Sequence, residues 1–217
     1  MGLNDPAIAS YEESVQLLQK LHEAEPDNAN LEWQLVYRSG RLASHLMSLG
    51  ETDAAWSMLN PLLERADALT APAANIDHIS AVESAWFRLD YARLLFLRGE
   101  SSEAKRWLED VIDQFAQLVR EKPGYRESLK GLAHAYFEYW QDFGQKQDMG
   151  IEALLEGYLA KPEDVKSCHD ADLAAHLAVV DGDRELAKRY TQYVLERGYF
   201  VSDFVTFCRD FDLCTGP

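Results

Sequence analysis

Three segments of this chain repeat one pattern of small and apolar residues around a glycine. They begin at Arg41, Leu89 and Asp172 and read RLASHLMSLGETDAAWSMLNPLLERA, LDYARLLFLRGESSEAKRWLEDVIDQF and DLAAHLAVVDGDRELAKRYTQYVLERG. The matched positions are Leu42, Ala43, Leu46, Gly50, Ala55, Leu59 and Leu62; Tyr91, Ala92, Leu95, Gly99, Ala104, Leu108 and Val111; and Ala174, Ala175, Ala178, Gly182, Ala187, Thr191 and Val194. The pattern predicts two helices joined by a glycine turn. Because one such hairpin does not bury its own apolar face, the copies have to stack.

Apolar residues recur at helical spacing along almost the whole chain, and the alternating Val, Ile and Thr patterns typical of strands are absent. We therefore predict an all-α protein with about ten helices. The predicted helices cover residues 6–24, 28–49, 52–68, 77–98, 102–119, 125–143, 148–160, 170–180, 183–197 and 202–211. They pair into four hairpins at about 28–69, 77–119, 125–160 and 170–197, with capping helices at about 6–24 and 202–211.

A shorter fourth match, LKGLAHAYFEYW, contributes Leu132, Ala133 and Tyr136. The segments resemble the tetratricopeptide repeat, whose pattern is W-x2-L-G-x2-Y, then Gly, then A-x3-F-x2-A, then Pro. The resemblance implies a single repeat domain over residues 1–217, folded as a right-handed superhelix of antiparallel helix hairpins, an α-solenoid. The copies depart from the family in spacing, because Gly50 and Gly99 are 49 residues apart, whereas a standard repeat has about 34 residues.

In this family, peptides bind on the concave face, which is lined mainly by the first helix of each hairpin. The resemblance therefore implies a protein-interaction module for a peptide or protein partner, either as a free adaptor or as a domain of a larger regulatory protein. The positions that match this face are Tyr37, Arg41, Ser44 and Met47; Trp86, Leu89, Asp90, Arg93 and Phe96; Lys130, His134 and Phe137; and His169, Asp172 and His176. The aromatic residues among them favour a groove for an extended or helical peptide with apolar anchors.

Two other functions fit the same residues. A secretion-type chaperone would hold an apolar export substrate in the groove. His169, Asp172 and His176 lie at positions i, i+3 and i+7, and together with His134 they form a candidate site for a metal-binding protein or an enzyme. The sequence has no hydrolase nucleophile motif, phosphate-binding loop or dinucleotide-binding motif. We therefore expect a protein without enzymatic activity and without a cofactor.

The net charge of −16 opposes binding to nucleic acids and to anionic lipids. It favours a partner that is basic or apolar. No apolar run approaches the ~18 residues that a membrane-spanning helix needs, and no basic region followed by an apolar stretch begins the sequence. We expect no membrane insertion and a cytoplasmic location, and the sequence leaves homo-oligomer formation open.

The chain has three cysteines, Cys168, Cys208 and Cys214. This small odd number argues against a disulfide framework. On one continuous helix Cys208 and Cys214 would not share a face, because six residues separate them. A bridge between them requires the chain to bend, and the sequence leaves both states open.

Overall fold

The computed structural model describes residues 4–70, 77–144, 165, 167–198 and 202–214. Within these residues the chain is helical and contains no strand, which confirms the all-α prediction. The helices are α1 (Asn4–Ala24), α2 (Ala29–Ser48), α3 (Thr52–Leu59), α4 (Leu63–Thr70), α5 (His78–Leu97), α6 (Ser101–Glu121), α7 (Arg126–Phe143), α8 (Cys168–Val180), α9 (Arg184–Glu196) and α10 (Ser202–Asp210). The predicted helix at 148–160 lies outside the described residues, and the superhelix stays a prediction.

Side-chain caps fix where several helices begin. Asn28 and Asp77 each accept two backbone N–H groups of the following turn through Oδ1, at 2.8–3.3 Å. Ser167 and Asp183 each accept one such N–H group, at 3.1 and 2.9 Å. These bonds satisfy donors that have no partner inside the helix, so a short polar side chain before an apolar run starts the helix there.

The predicted helix at 52–68 is interrupted near its centre. α3 ends at Leu59, a 3₁₀ turn covers Asn60–Leu62, and α4 continues from Leu63. Pro61 has no backbone N–H, and its ring clashes with the carbonyl group four residues earlier in a regular helix. The prediction of one unbroken helix is therefore wrong at this point.

The turns at the three aligned glycines have one geometry. The N–H of Gly50 donates to the carbonyl of Met47, and the N–H of Glu51 donates to the carbonyl of Leu46, both at 2.9 Å. The equivalent bonds at Gly99 and Gly182 measure 2.9–3.0 Å, and the φ angles of the three glycines are +80°, +83° and +77°. This is the Schellman ending, for which glycine is favoured because it adopts the left-handed conformation without strain.

The aligned positions also have the same packing role. The alanines at these positions are completely buried: Ala43, Ala55, Ala92, Ala104, Ala175 and Ala187. Leu59, Leu108 and Thr191 occupy one matched position and are completely buried as well. The Thr191 hydroxyl donates to the carbonyl of Ala187 at 2.8 Å, so its burial leaves no polar group unsatisfied. The repeat in the sequence thus corresponds to a repeated way of packing a helix hairpin.

The chain divides into two compact units, residues 1–114 and 115–217, and the division falls within α6. In the first unit, α2 packs against α1, α3 and α5; in the second, α8 packs against α7 and α9. None of the helices in the described ranges is long and apolar enough to cross a membrane. The single repeat domain over residues 1–217 stays a prediction.

Candidate functional site

In the first unit, α2 and α5 lie side by side and run in the same direction. Trp33 Nε1 donates to Glu83 Oε2 at 2.6 Å near the start of both helices. Further along, a Cβ atom on Gly40 would lie 3.2 Å from Cδ2 of Phe87. These contacts advance along both helices together, so the first helices of two neighbouring hairpins are parallel.

Three turns of each helix then contribute to a shared surface. On α2 the residues at i, i+4 and i+7 are Tyr37, Arg41 and Ser44, and on α5 they are Trp86, Asp90 and Arg93. This spacing places each set along one side of its helix. The Asp90 carboxylate joins the two sets through its hydrogen bond with Ser44 and its attraction to Arg41. We call these six residues the α2–α5 face.

Asp90 is the buried centre of this face. It is 5% exposed, and its Oδ1 lies 3.8 Å from Nη1 of Arg93. Burial raises the pKa of the Asp90 carboxyl to about 6, although Arg93, Arg41 and the Ser44 hydroxyl all act to lower it. A carboxylate in such a position attracts the guanidinium groups of two helices, because a buried charge requires charged or hydrogen-bonding partners.

The predicted contact residues in the first unit differ in their accessibility. Tyr37, Arg41, Ser44, Trp86 and Phe96 are partly exposed, and the Arg93 side chain is 37% exposed. Met47 and Leu89, in contrast, are 7% and 1% exposed and belong to the core. A helix that packs against several neighbours buries most of its circumference, so these two predicted contact residues are not available to a partner.

In the second unit, α7 and α8 are parallel as well. Arg126, at the start of α7, forms an ion pair with Asp170, at the start of α8. About two turns later, the rings of His134 and His176 are 6.4 Å apart, and those of Phe137 and His176 are 4.4 Å apart. We call His134, Phe137, Trp140 and His176 the α7–α8 face.

The C-terminal helix α10 covers part of this face. The ring of Phe207 stacks on His176 with a centroid separation of 3.6 Å and lies 5.7 Å from the ring of Phe137. The ring of Phe211 is 6.2 Å from that of Phe137 and 5.9 Å from that of Trp140. Phe137 is consequently 6% exposed, so it is not open to a partner in this structure.

The other predicted polar residues of this unit have local partners. His176 Nδ1 lies 2.8 Å from the carbonyl oxygen of Asp172 and 3.2 Å from its Oδ1. Lys130 Nζ donates to Glu127 Oε1 at 2.7 Å. The side chain of His169 lies outside the described residues. Among the side chains that are described, no group of three or more His, Cys, Asp or Glu residues is placed to hold a metal ion.

A disulfide bond joins Cys208 to Cys214. α10 ends in the same type of turn as the earlier helices: the N–H of Leu213 donates to the carbonyl of Cys208 at 2.9 Å, and Asp212 takes the left-handed position with a φ of +51°. The turn brings the two cysteine Cα atoms to 5.3 Å, a normal disulfide separation. The bend that the sequence left open is therefore present.

The sequence predicts a capping helix at about 202–211 but not its contact with α7. This helix prediction includes Phe204, Phe207 and Phe211. The i, i+4 spacing of Phe207 and Phe211 was the available signal, because this spacing gives two aromatic side chains one direction. No signal in the sequence predicts that these two side chains pack against α7.

The described residues define an all-helical chain in which α2 runs parallel to α5 in one unit and α7 runs parallel to α8 in the other. Comparison of the chain with protein-family models, with curated proteins and with solved structures finds no match.

Proposed function

We propose that this chain is a protein-interaction module that binds an extended or helical segment of a partner protein along the α2–α5 face. The observation that carries this proposal is the meeting of Arg41 and Ser44 with Asp90 and Arg93 across two parallel helices. Arg41 and Ser44 on α2 and Arg93 on α5 all interact with the buried carboxylate of Asp90. The partly exposed rings of Tyr37 and Trp86 extend the same sides of the two helices.

The chemistry of the face suits main-chain recognition. A guanidinium group carries five N–H donors, and the carboxylate of Asp90 attracts two such groups, those of Arg41 and Arg93. Arg41 and Arg93 are both partly exposed, so they present oriented donors to backbone carbonyl groups of a bound segment. Aromatic side chains beside them supply apolar contact area, and aromatic and arginine residues contribute much of the affinity at protein interfaces.

The charge of the chain defines the partner further. At a net charge of −16 the chain attracts basic segments over a distance of roughly 8 Å at physiological ionic strength. A segment with apolar side chains at its centre and lysine or arginine at its ends would satisfy both the face and the surrounding field.

A peptide library provides the test. Peptides selected on the wild-type chain are measured against Arg41→Gln/Asp90→Asn/Arg93→Gln, in which the carboxyl is neutralised together with its arginines, so that no buried charge is left without a partner. We expect the triple variant to bind at least about tenfold more weakly, which corresponds to the loss of one or two interface hydrogen bonds to a charged group.

The matched control is Arg106→Gln. Arg106 is exposed on α6 and pairs with Glu103 of the same helix at 3.2 Å, so its loss should leave peptide affinity within about twofold. Circular dichroism confirms that both variants are folded. Equal affinity of the selected peptides for the triple variant and for the wild type would refute the proposal.

A further inference from the structure

α10 occupies a surface that the sequence pattern assigns to a partner. The α7–α8 face consists of positions on the first helices of two hairpins, and His134, Phe137 and His176 belong to the predicted partner-binding set. Phe207 of α10 and Phe211, the residue after its last turn, contact this face with ring separations of 3.6–6.2 Å. The chain thus places one of its own segments where a bound segment is expected.

The contacts of α10 extend beyond the end of the last hairpin. A helix that only closed this end would contact α8 and α9. Besides these contacts, Phe207 and Phe211 also reach Phe137 and Trp140 on α7. α10 therefore lies across the two parallel helices, as an amphipathic helix lies in a groove.

The two sides of α10 differ in solvent exposure, as an amphipathic helix that docks through its apolar side requires. Phe204 and Phe207 are 1% and 5% exposed, whereas Val205 is 46% exposed. The two side chains that contact α7 are Phe207 and Phe211, which directly follows α10 and whose N–H donates to the carbonyl of Phe207 at 3.1 Å. Their i, i+4 spacing is the spacing of anchors in a helical ligand.

Two connections hold the C-terminal end of α10 in place. The Cys208–Cys214 disulfide closes the turn that follows the helix. Arg184, at the start of α9, donates through Nη2 to the carbonyl oxygen of Phe211 at 3.0 Å and to Asp212 Oδ2 at 3.1 Å. Both connections depend on the conformation of residues 208–214, so opening the disulfide loosens the segment that carries Phe211.

We propose that α10 is a built-in occupant of the α7–α8 face and that reduction of the Cys208–Cys214 disulfide releases it. The face then binds an amphipathic helix of a partner protein. This helix carries two aromatic residues at i, i+4. This inference rests on the proposed function, since it treats the first-helix faces as binding surfaces. It adds to that function a second binding face, the class of ligand that this face binds, and redox control of access to the face.

The reduction is an ordinary thiol–disulfide exchange with a dithiol reductant. Cys208 is 1% exposed, whereas Cys214 is partly exposed, so the reductant thiolate attacks the sulfur of Cys214 and Cys208 leaves as a thiolate. The second thiol of the reductant, as its thiolate, then displaces Cys214 from the mixed disulfide. The two cysteine thiolates take up the two protons that the dithiol gave up. The products are two protein thiols and one oxidised dithiol.

The test uses the sequence of α10 itself as the probe. A labelled synthetic peptide of residues 202–213 that carries Cys208→Ser is titrated with the full chain, either oxidised or treated with a dithiol. We expect at least about tenfold tighter binding to the reduced chain, because the tethered helix then competes less effectively with the free peptide. A peptide that also carries Phe207→Ala and Phe211→Ala should not bind.

Two further chains complete the design. Cys208→Ser/Cys214→Ser should bind the peptide without reductant, as the reduced wild type does, and Cys168→Ser should retain the full redox response. Equal peptide affinity for the oxidised and reduced chains, or binding that is insensitive to the loss of both phenylalanines, would overturn the inference. Arg41→Gln/Asp90→Asn/Arg93→Gln changes only the first unit, so a failure of the proposed α2–α5 site is measured separately.

Discussion

At the scale of single residues, one glycine sets how closely α6 and α7 approach. A Cβ atom on Gly131 would overlap the ring of Phe115, which is completely buried. Gly131→Ala should therefore lower the free energy of unfolding by ~1–3 kcal/mol through overpacking, even though alanine alone would favour the helix by about 1 kcal/mol.

Gly124→Ala is the matched control, measured in the same urea unfolding experiment. Gly124 is exposed, no atom lies within 4 Å of the added Cβ, and its φ is not positive. Its replacement should change the free energy of unfolding by no more than about 0.5 kcal/mol. If Gly131→Ala were as stable as Gly124→Ala, the close packing of Phe115 against α7 would be wrong.

At the scale of helices, Asp90 makes the contact between α2 and α5 sensitive to pH. Its pKa is about 6 in the folded chain and 3.8 ordinarily, so the folded state binds the proton more tightly. The stability that this group contributes is therefore present at acid pH and is lost as the pH rises through about 6. Arg41 and Ser44 of α2 and Arg93 of α5 are the groups that face it.

The measurement compares wild type with Asp90→Asn by urea unfolding at about pH 4 and about pH 7.5. The stability of the wild type relative to the variant should fall across this window by on the order of 2 kcal/mol. Taking the difference removes the effect of the other carboxyl groups, which both proteins share. A difference that does not change with pH would mean that the Asp90 carboxyl is not buried as described.

Helix boundaries were largely predictable from local signals. α1 was expected at 6–24 and is found at Asn4–Ala24, and α5 was expected at 77–98 and is found at His78–Leu97. Caps such as Asp77 and turn glycines such as Gly99 act within a few residues of themselves, so the sequence shows them directly. The break at Pro61 was equally local, but the apolar spacing on both sides of it concealed it.

The candidate sites were predictable only in part. Helical spacing identified Arg41, Ser44, Asp90 and Arg93 as residues of two matching helix sides, and the structure brings these sides together. Spacing did not separate the partly exposed Arg41, Ser44 and Arg93 from Met47 and Leu89, which belong to the core. A position on a helix becomes core or surface only through the packing of the neighbouring helices. The docking of α10 on α7 depends on tertiary packing in the same way.

At the scale of the whole molecule, the chain consists of two helical units, each with a face made by two parallel helices. The first unit presents its face with partly exposed arginine and aromatic side chains, and the second has its face partly covered by α10. The two faces thus have different chemistry and different accessibility within one chain. The proposed binding function uses the sides of α2, α5, α7 and α8 that form these two faces.

Site-specific photo-crosslinking tests this claim most directly. A photoreactive phenylalanine analogue is placed at Tyr37 or Phe96 on the first helices, or at Ser57 or Arg106 on the exposed sides of α3 and α6. With a selected peptide bound to the first unit, the account predicts crosslinks from Tyr37 and Phe96 and none above background from Ser57 and Arg106. Crosslinks from Ser57 and Arg106, with none from Tyr37 and Phe96, would contradict it.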